Sequence, residues 1–232
     1  MSNSTEQDGE RQQLLNRLSR SYEIHERTLR FGSTDFHFWA LVDPNTLLDE
    51  VTLQASHAEL PWQPYWGQLW DATHGLCEEL MHLDLEDRTV LDLGCGLGIA
   101  GAVAASRGAR VLLADNAIPA LDFAKLNCWL WRDQTKVQFL DWNTDDLQQK
   151  FDLIVGADIV YDSTAIPGLS RFLRKHVACD SRILLSETYR VMTDDLIKLF
   201  RQDRWKIRER TCPPQLDRRK VRIFELFDCS VP

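Results

Sequence analysis

The chain has 232 residues, enough for one large domain with its own core and an appended N-terminal piece. Lys and Arg total 27 against 35 Asp and Glu, a formal charge of -8, which argues against a general nucleic-acid or anionic-membrane surface and leaves only local basic patches. A polar N-terminus bearing Glu6, Asp8 and Glu10, and the lack of any uninterrupted apolar run near ~18 residues, give no expectation of a secretory address or a membrane span.

Six cysteines, at 77, 95, 128, 179, 212 and 229, form no C-x-x-C pair and fall mostly inside apolar segments, as reduced core thiols do. The expectation is a cytoplasmic, monomeric protein. Residues 1–9 read as a disordered tail, and Glu10 to Arg20 places Leu14, Leu15 and Leu18 at helical spacing. Tyr22 to Phe31 and Asp35 to Val42 flank Gly32-Ser-Thr34, the pattern of a β-hairpin. Asp43-Pro44-Asn45 ends it, and Leu47 to Leu53 reads as helical. His25, His37 and His57 lack a ligand spacing, so no metal is expected.

Pro61 to Asp71 packs Trp62, Tyr65, Trp66 and Trp70 ahead of an amphipathic helix over Leu69 to Leu83. Two readings stand side by side: the aromatics plug the underside of a sheet, or they wall a planar ligand, with Trp70 nearest to it. From residue 89 strand and helix alternate. Strands are expected at 89–93, 110–115, 136–140, 152–157, 181–186, 204–210 and 221–227, with helices at 98–107, 117–130, 144–150, 164–177 and 193–202. This is an α/β, Rossmann-like, seven-stranded, mostly parallel sheet with helices on both faces. The last two strands are joined through Pro213-Pro214 with no room for a crossover helix, so the last strand should run antiparallel.

Thr89-Val-Leu-Asp-Leu-Gly-Cys-Gly-Leu-Gly98 is an apolar strand carrying one acid that passes straight into a glycine-rich turn. Gly94 and Gly96 let the backbone turn sharply and approach a ligand closely. Gly96 to Gly101 fits the dinucleotide fingerprint G-x-G-x-x-G, yet the strand already ends at Gly94 with Asp92 before it. A carboxylate there crowds a pyrophosphate and suits the cationic amino group of S-adenosylmethionine. The fingerprint match is then a coincidence of spacing.

Ligands in such sheets bind beyond the carboxyl ends of the strands. Asp115-Asn116 follows the second strand, with Asp115 placed to accept from ribose hydroxyls or, alternatively, to cap the next helix. Asp141-Trp142 follows the third and could hold an adenine, edge and face, although Trp142 could equally be core. The fourth strand ends in Ala157-Asp158-Ile-Val-Tyr161, where Asp158 and Tyr161 lie on the side from which an acceptor must approach. Arg201 to Arg222 holds nine basic residues and three acids, either solvated surface or a dock for an acidic face of a protein substrate.

Taken together, Gly67-Gln-Leu-Trp-Asp-Ala72, Val90 to Gly98, Leu140-Asp-Trp142 and Gly156-Ala-Asp-Ile-Val-Tyr161 resemble class I, seven-β-strand S-adenosylmethionine-dependent methyltransferases. More narrowly they resemble the family-16 protein lysine methyltransferases. The resemblance runs from about residue 60 to the end, leaving residues 1–60 as an N-terminal extension and 61–232 as the methyltransferase domain. It implies S-adenosyl-L-methionine as cofactor and Asp158 and Tyr161, the D-x-x-Y motif, as catalytic residues beside the substrate lysine. Trp70, Asp92, Gly94, Gly96, Asp115, Asn116, Asp141, Trp142 and Ala157 are expected to bind cofactor. Asp92 departs from the Glu of many family members. Asp43 to Asp49 matches an Asp-Pro-x-x-Leu-Leu-Asp element of bacterial relatives.

The implied acceptor is a protein lysine. Methylation of a small amine or of another protein side chain is a second reading, and a non-catalytic module that keeps the fold is a third.

Overall fold

A computed structural model describes residues 2–45, 65–160, 166–188, 192–212 and 220–228. The expected helix over 47–53 and Tyr161 lie outside these residues, as do Trp62 and the Pro213-Pro214 turn. Helix α1 spans Ser2–Ser21, strands β1 and β2 span Ile24–Phe31 and Thr34–Leu41, and helix α2 spans Asp71–Met81. Then alternate β3 (Thr89–Leu93), α3 (Ile99–Ser106), β4 (Arg110–Asp115), α4 (Ile118–Asn127) and β5 (Thr135–Phe139). β6 (Phe151–Ala157), α5 (Ile166–His176), β7 (Val177–Thr188), α6 (Met192–Gln202), β8 (Trp205–Cys212) and β9 (Val221–Asp228) complete the chain.

The large sheet has seven strands in the order β5-β4-β3-β6-β7-β9-β8. β9 pairs antiparallel with both β7 and β8, and the remaining pairs are parallel. Strand order therefore reverses between β3 and β6, which opens a crevice beyond their carboxyl ends. One core binds the inner face of the hairpin and α1 to α2, α3 and α4, and a second packs α5 and α6 on the opposite face. The N-terminal extension is thus sewn into the first helical layer.

In the hairpin, Phe31, Phe36 and Phe38 are buried while Arg30 and Asp35 pair across the exposed face, the period-two pattern of a half-buried ribbon. Leu14 and Leu18 of α1 sink into the same core, and Arg17 reaches Asp122 of α4 at 2.7 Å. The helix begins at Ser2, so residues 2–9 of the expected tail are helical instead. Glu6, Gln7, Glu10, Arg11 and Gln12 are strong helix formers, and Gln12 donates to Asn16 one turn on at 2.9 Å.

The expected helix over 144–150 does not form. Short polar side chains there take the backbone amides that a helix would use: Asp141 Oδ1 accepts from Asn143 N at 2.9 Å, Asp145 Oδ2 from Asp141 N at 2.8 Å, and Asp146 Oδ1 from Gln148 N at 2.9 Å. β7 is longer than expected, because strand pairing starts at Val177, directly after α5.

Leu18 is 2% exposed. Leu18→Ala is expected to lower the unfolding free energy by about 2–4 kcal/mol, with helical circular dichroism and tryptophan fluorescence reporting one shared transition. A separate early loss of helix signal would show that α1 docks independently.

Candidate functional site

The crevice is built from the first strand outward. Asp92, 3% exposed, lies in central strand β3 between Leu113 of β4 and Val155 of β6. Its Oδ2 accepts the Gly101 N–H at 2.8 Å, which pins the first turn of α3 against the strand. Its carboxyl is raised to about 7, chiefly by burial, against the pull of the Gly101 N–H and with a smaller push from the Asp115 charge.

The turn that follows is left-handed at Gly94, Gly96 and Gly98, with φ of 63°, 51° and 76°. A Cβ on Gly94 would stand 2.7 Å from Ile159 Cγ2, and one on Gly98 2.7 Å from Ala124 Cα. Gly101 has a packing role as well, since a Cβ there would meet Leu113 Cδ2 at 2.5 Å. The helix-to-sheet contact requires that glycine whatever the ligand.

Asp115 ends β4 and braces the same turn. Its Oδ2 accepts from Gly96 N and its Oδ1 from Ala117 N, both at 2.9 Å. Burial raises its carboxyl, and the amides of Gly96, Ala117 and Asn116 oppose that. Asp115 is not the N-cap of α4, a place taken by Ala117, but its carboxylate holds the residue at that cap. It organises the entry to α4, and it lines the crevice beside Asn116.

Trp70, Asp92, Gly94, Gly96, Asp115, Asn116, Trp142, Ala157 and Asp158 all line one crevice. Asp141 is not among its described lining residues: its Oδ1 takes both the backbone and side-chain nitrogens of Asn143, at 2.9 and 3.1 Å, so it shapes the loop that presents Trp142. Trp142 Nε1 is buried with no hydrogen-bond partner among the described residues. Trp70 Nε1 donates to Tyr65 O at 3.1 Å, and the two rings meet edge to face. Trp66 borders the crevice, while its ring packs against Tyr22 and Phe123 behind it.

Sequence reading missed Asn127. Buried at 5% exposure, it accepts the Trp39 N–H at 2.7 Å and donates to Trp39 O at 3.0 Å and Leu97 O at 2.8 Å. It thereby ties the hairpin to the glycine turn. The hairpin supports the crevice from behind, for no hairpin residue is among the described lining. A lone Asn at a helix C-terminus carries no pattern that would have marked it.

Of the nine basic residues in the stretch from Arg201 to Arg222, three are paired within the chain among the described residues. Arg208 pairs with Glu225 at 2.9 Å, Arg210 with Glu79 at 2.6 Å, and Arg222 with Glu209 at 2.7 Å. Among the described cysteines all are free; Cys77, Cys95 and Cys128 are buried as expected, whereas Cys179 is exposed.

The donor set fits S-adenosylmethionine. Asp92 would supply anionic charge for an amino cation, Asp115 would face ribose hydroxyls, Trp142 and the small Ala157 would border a flat heterocycle, and Gly94 and Gly96 would offer backbone to it.

Comparison with known proteins agrees with that geometry. The family model described as lysine methyltransferase matches residues 54–200. The chain is similar to "Protein N-lysine methyltransferase METTL21A" of Danio rerio, 35% identical over 151 residues, covering 61% of this chain and 69% of that one. It is also similar to "Electron transfer flavoprotein beta subunit lysine methyltransferase" of Homo sapiens, 36% identical over 118 residues, 48% of this chain and 44% of that one. Among solved structures, the magnesium protoporphyrin IX methyltransferase ChlM of Synechocystis PCC 6803 with bound SAH superposes with a TM-score of 0.55 at 19% identity, over 69% of this chain and 88% of that one. The glycopeptide N-methyltransferase MtfA gives a TM-score of 0.56 at 14% identity, over 68% and 96%. At those identities the structural likeness establishes the fold.

Because Asp92 ionises near pH 7 in the free protein, cofactor affinity should weaken as pH falls below 7, by up to about tenfold per unit. Raising a carboxyl makes the folded chain hold a proton that the unfolded chain releases, so the ligand-free protein should gain stability from Asp92 over the same descent. Asp92→Asn keeps an acceptor for Gly101. It should flatten the affinity profile, weaken binding at pH 8 and raise the ligand-free Tm there. An unchanged calorimetric pH profile would remove Asp92 from the cation-binding role.

Proposed function

The chain belongs to the lysine methyltransferase family and is an S-adenosylmethionine-dependent methyltransferase, and from that premise we propose that its acceptor is a lysine side chain of a protein. The observation that carries the proposal is Asp158. This buried carboxylate, 6% exposed, lines the same crevice as the cofactor acids, from the far side of the strand-order reversal. An ammonium entering there meets an anion that can hold it in line, while Tyr65 and Trp70 give the crevice an aromatic border.

When bound, S-adenosylmethionine supplies a methyl group made electrophilic by its sulfonium. Lysine must reach it neutral, and from an unperturbed pKa near 10.4 that costs about 4.6 kcal/mol at pH 7. Asp158 orients the ammonium but also favours its charged form, so it is an orienting residue and not a sufficient base. Desolvation against Trp70 and Tyr65 works in the opposite direction, and Tyr161 of the D-x-x-Y motif is the second proposed acceptor-side residue.

The relatives' printed names, which describe modification of lysine in proteins, support a protein substrate. The formal charge of -8 favours a protein acceptor over nucleic acid. Among the described residues no helix is long and apolar enough to cross a membrane. The proposal includes a monomeric enzyme acting in the cytoplasm, for which the unpaired cysteines are the support.

Incubation of a heat-treated cell extract with enzyme and radiolabelled cofactor should label discrete protein bands in which the methyl resides on lysine. Label confined to small molecules would replace the acceptor assignment. Asp158→Ala should reduce labelling by at least about a hundredfold with cofactor affinity largely intact; affinity falling in parallel with rate would move Asp158 to the cofactor.

A further inference from the structure

Asp158 sits in a conformation that its own sequence does not favour. Its φ is 51°, the left-handed region that a residue with a Cβ enters at a cost. Contacts from the neighbouring strands hold it there. On the β3 side, Ile159 leaves no room for a side chain on Gly94. On the β7 side, Asp158 N donates to Ser186 O at 2.8 Å. The carboxylate itself is gripped by Thr188: Oδ1 accepts the Thr188 N–H at 3.0 Å, and the Thr188 hydroxyl lies 2.9 Å from Oδ2 and 3.2 Å from Oδ1.

Thr188 is 4% exposed and is the last residue of β7, a strand absent from the described lining of the crevice. Its backbone is fixed by pairing with Val221 of β9. Val221 is seated in turn against Gly75 of α2, where a Cβ would come within 2.9 Å of Val221 Cγ1. The rigid end of β7 is therefore connected to one carboxylate through two donors on a single residue.

We propose that Thr188 is the positioning residue of the acceptor end: its amide and hydroxyl together hold the Asp158 carboxylate in the orientation that receives the incoming ammonium. The proposal rests on the reading of Asp158 as the acceptor-side acid. The amide takes one carboxylate oxygen, and the hydroxyl reaches the second, so Thr188 engages both ends of the group. Nothing in this arrangement requires Thr188 to touch cofactor or substrate.

The variant that isolates the hydroxyl is Thr188→Val, which keeps the β-branched shape suited to a strand, and Thr188→Ser restores the donor. The probes are radiolabelled methyl transfer into heat-treated extract, calorimetric titration with S-adenosylhomocysteine, and crystal structures of wild type and Thr188→Val. Thr188→Val is expected to lower the transfer rate by about ten- to hundredfold, with S-adenosylhomocysteine affinity changed by less than about twofold and a rotated Asp158 carboxylate. Thr188→Ser should return the rate to within about threefold of wild type.

An unmoved Asp158 in the Thr188→Val crystal overturns the proposal whether or not a substrate has been found. So does a wild-type rate, or a fall in cofactor affinity that matches the fall in rate, which would mark Thr188 as generally structural. If Asp158→Ala keeps its activity, the acceptor reading itself fails. If Asp158→Ala is inactive and Thr188→Val is normal, only the positioning role fails.

Discussion

Two carboxylates buried at the ends of adjacent parallel strands set the terms for the rest of this structure. Raising Asp92 from 3.8 to about 7 means that its ionised form costs the ligand-free fold about 4 kcal/mol above neutral pH. Asp115 carries a penalty of the same sign. A fold with a stability of roughly 5–15 kcal/mol keeps such charges only if each is hydrogen-bonded, and both are bonded to backbone amides in or beside the glycine turn and at the start of the helices that follow. Asp92 takes Gly101, and Asp115 takes Gly96 and Ala117. The acids thus give the glycine turn its shape, and the turn in turn keeps them tolerable. A cation bound beside Asp92 would offset the residual cost, and part of its binding free energy would then come from relief of a penalty already stored in the fold.

That turn is also held from outside the sheet. Leu97 O is tied by Asn127 to Trp39 of the hairpin, and Trp66 O stands 3.1 Å from where a Cβ on Gly96 would be. Trp66 is itself wedged between Tyr22 and Phe123. The N-terminal extension consequently acts on the cofactor end through backbone geometry, with its described residues behind the crevice and not in it. A sheet of this class needs one helical layer over the β3 and β4 face. Here that layer is thickened by α1 and the hairpin, whose phenylalanines join the same core as Leu113 and Val103.

The parts of this architecture legible in the sequence were those written in local patterns. Alternation of apolar strands with amphipathic helices gave the sheet, the short Pro213-Pro214 link gave its antiparallel member, and the acid ahead of Gly94 distinguished a sulfonium cofactor from a dinucleotide. What failed was also physical. The polar segment after Trp142 has helix-like composition, but Asp141, Asp145 and Asp146 each satisfy a nearby amide and make turns cheaper than a helix. The same competition draws Asp141 away from the crevice. Gly101 seemed to complete a fingerprint by coincidence, and the contact with Leu113 shows a constraint of packing that both cofactor classes share. Asn127 and Thr188 were illegible for a different reason: each matters through partners 30 or more residues away, and single residues at long range leave no periodicity.

The crevice therefore has two ends under different control. At the cofactor end, charge is balanced within consecutive elements, β3, its turn, α3 and β4, so the machinery is compact in sequence. At the proposed acceptor end, Asp158 follows β6 and the groups bonded to its carboxylate come from the end of β7, with β9 and α2 behind them. Asp158 holds a left-handed backbone with no glycine to relieve it, and such strain persists only where surrounding contacts over-determine it. The seven-stranded sheet supplies those contacts, because β9 inserted beside β7 makes the end of β7 an interior position instead of an edge. Had the chain stopped its sheet at β7, Thr188 would stand on a fraying margin. In this fold the antiparallel last strand is part of what keeps the acceptor-side carboxylate in place.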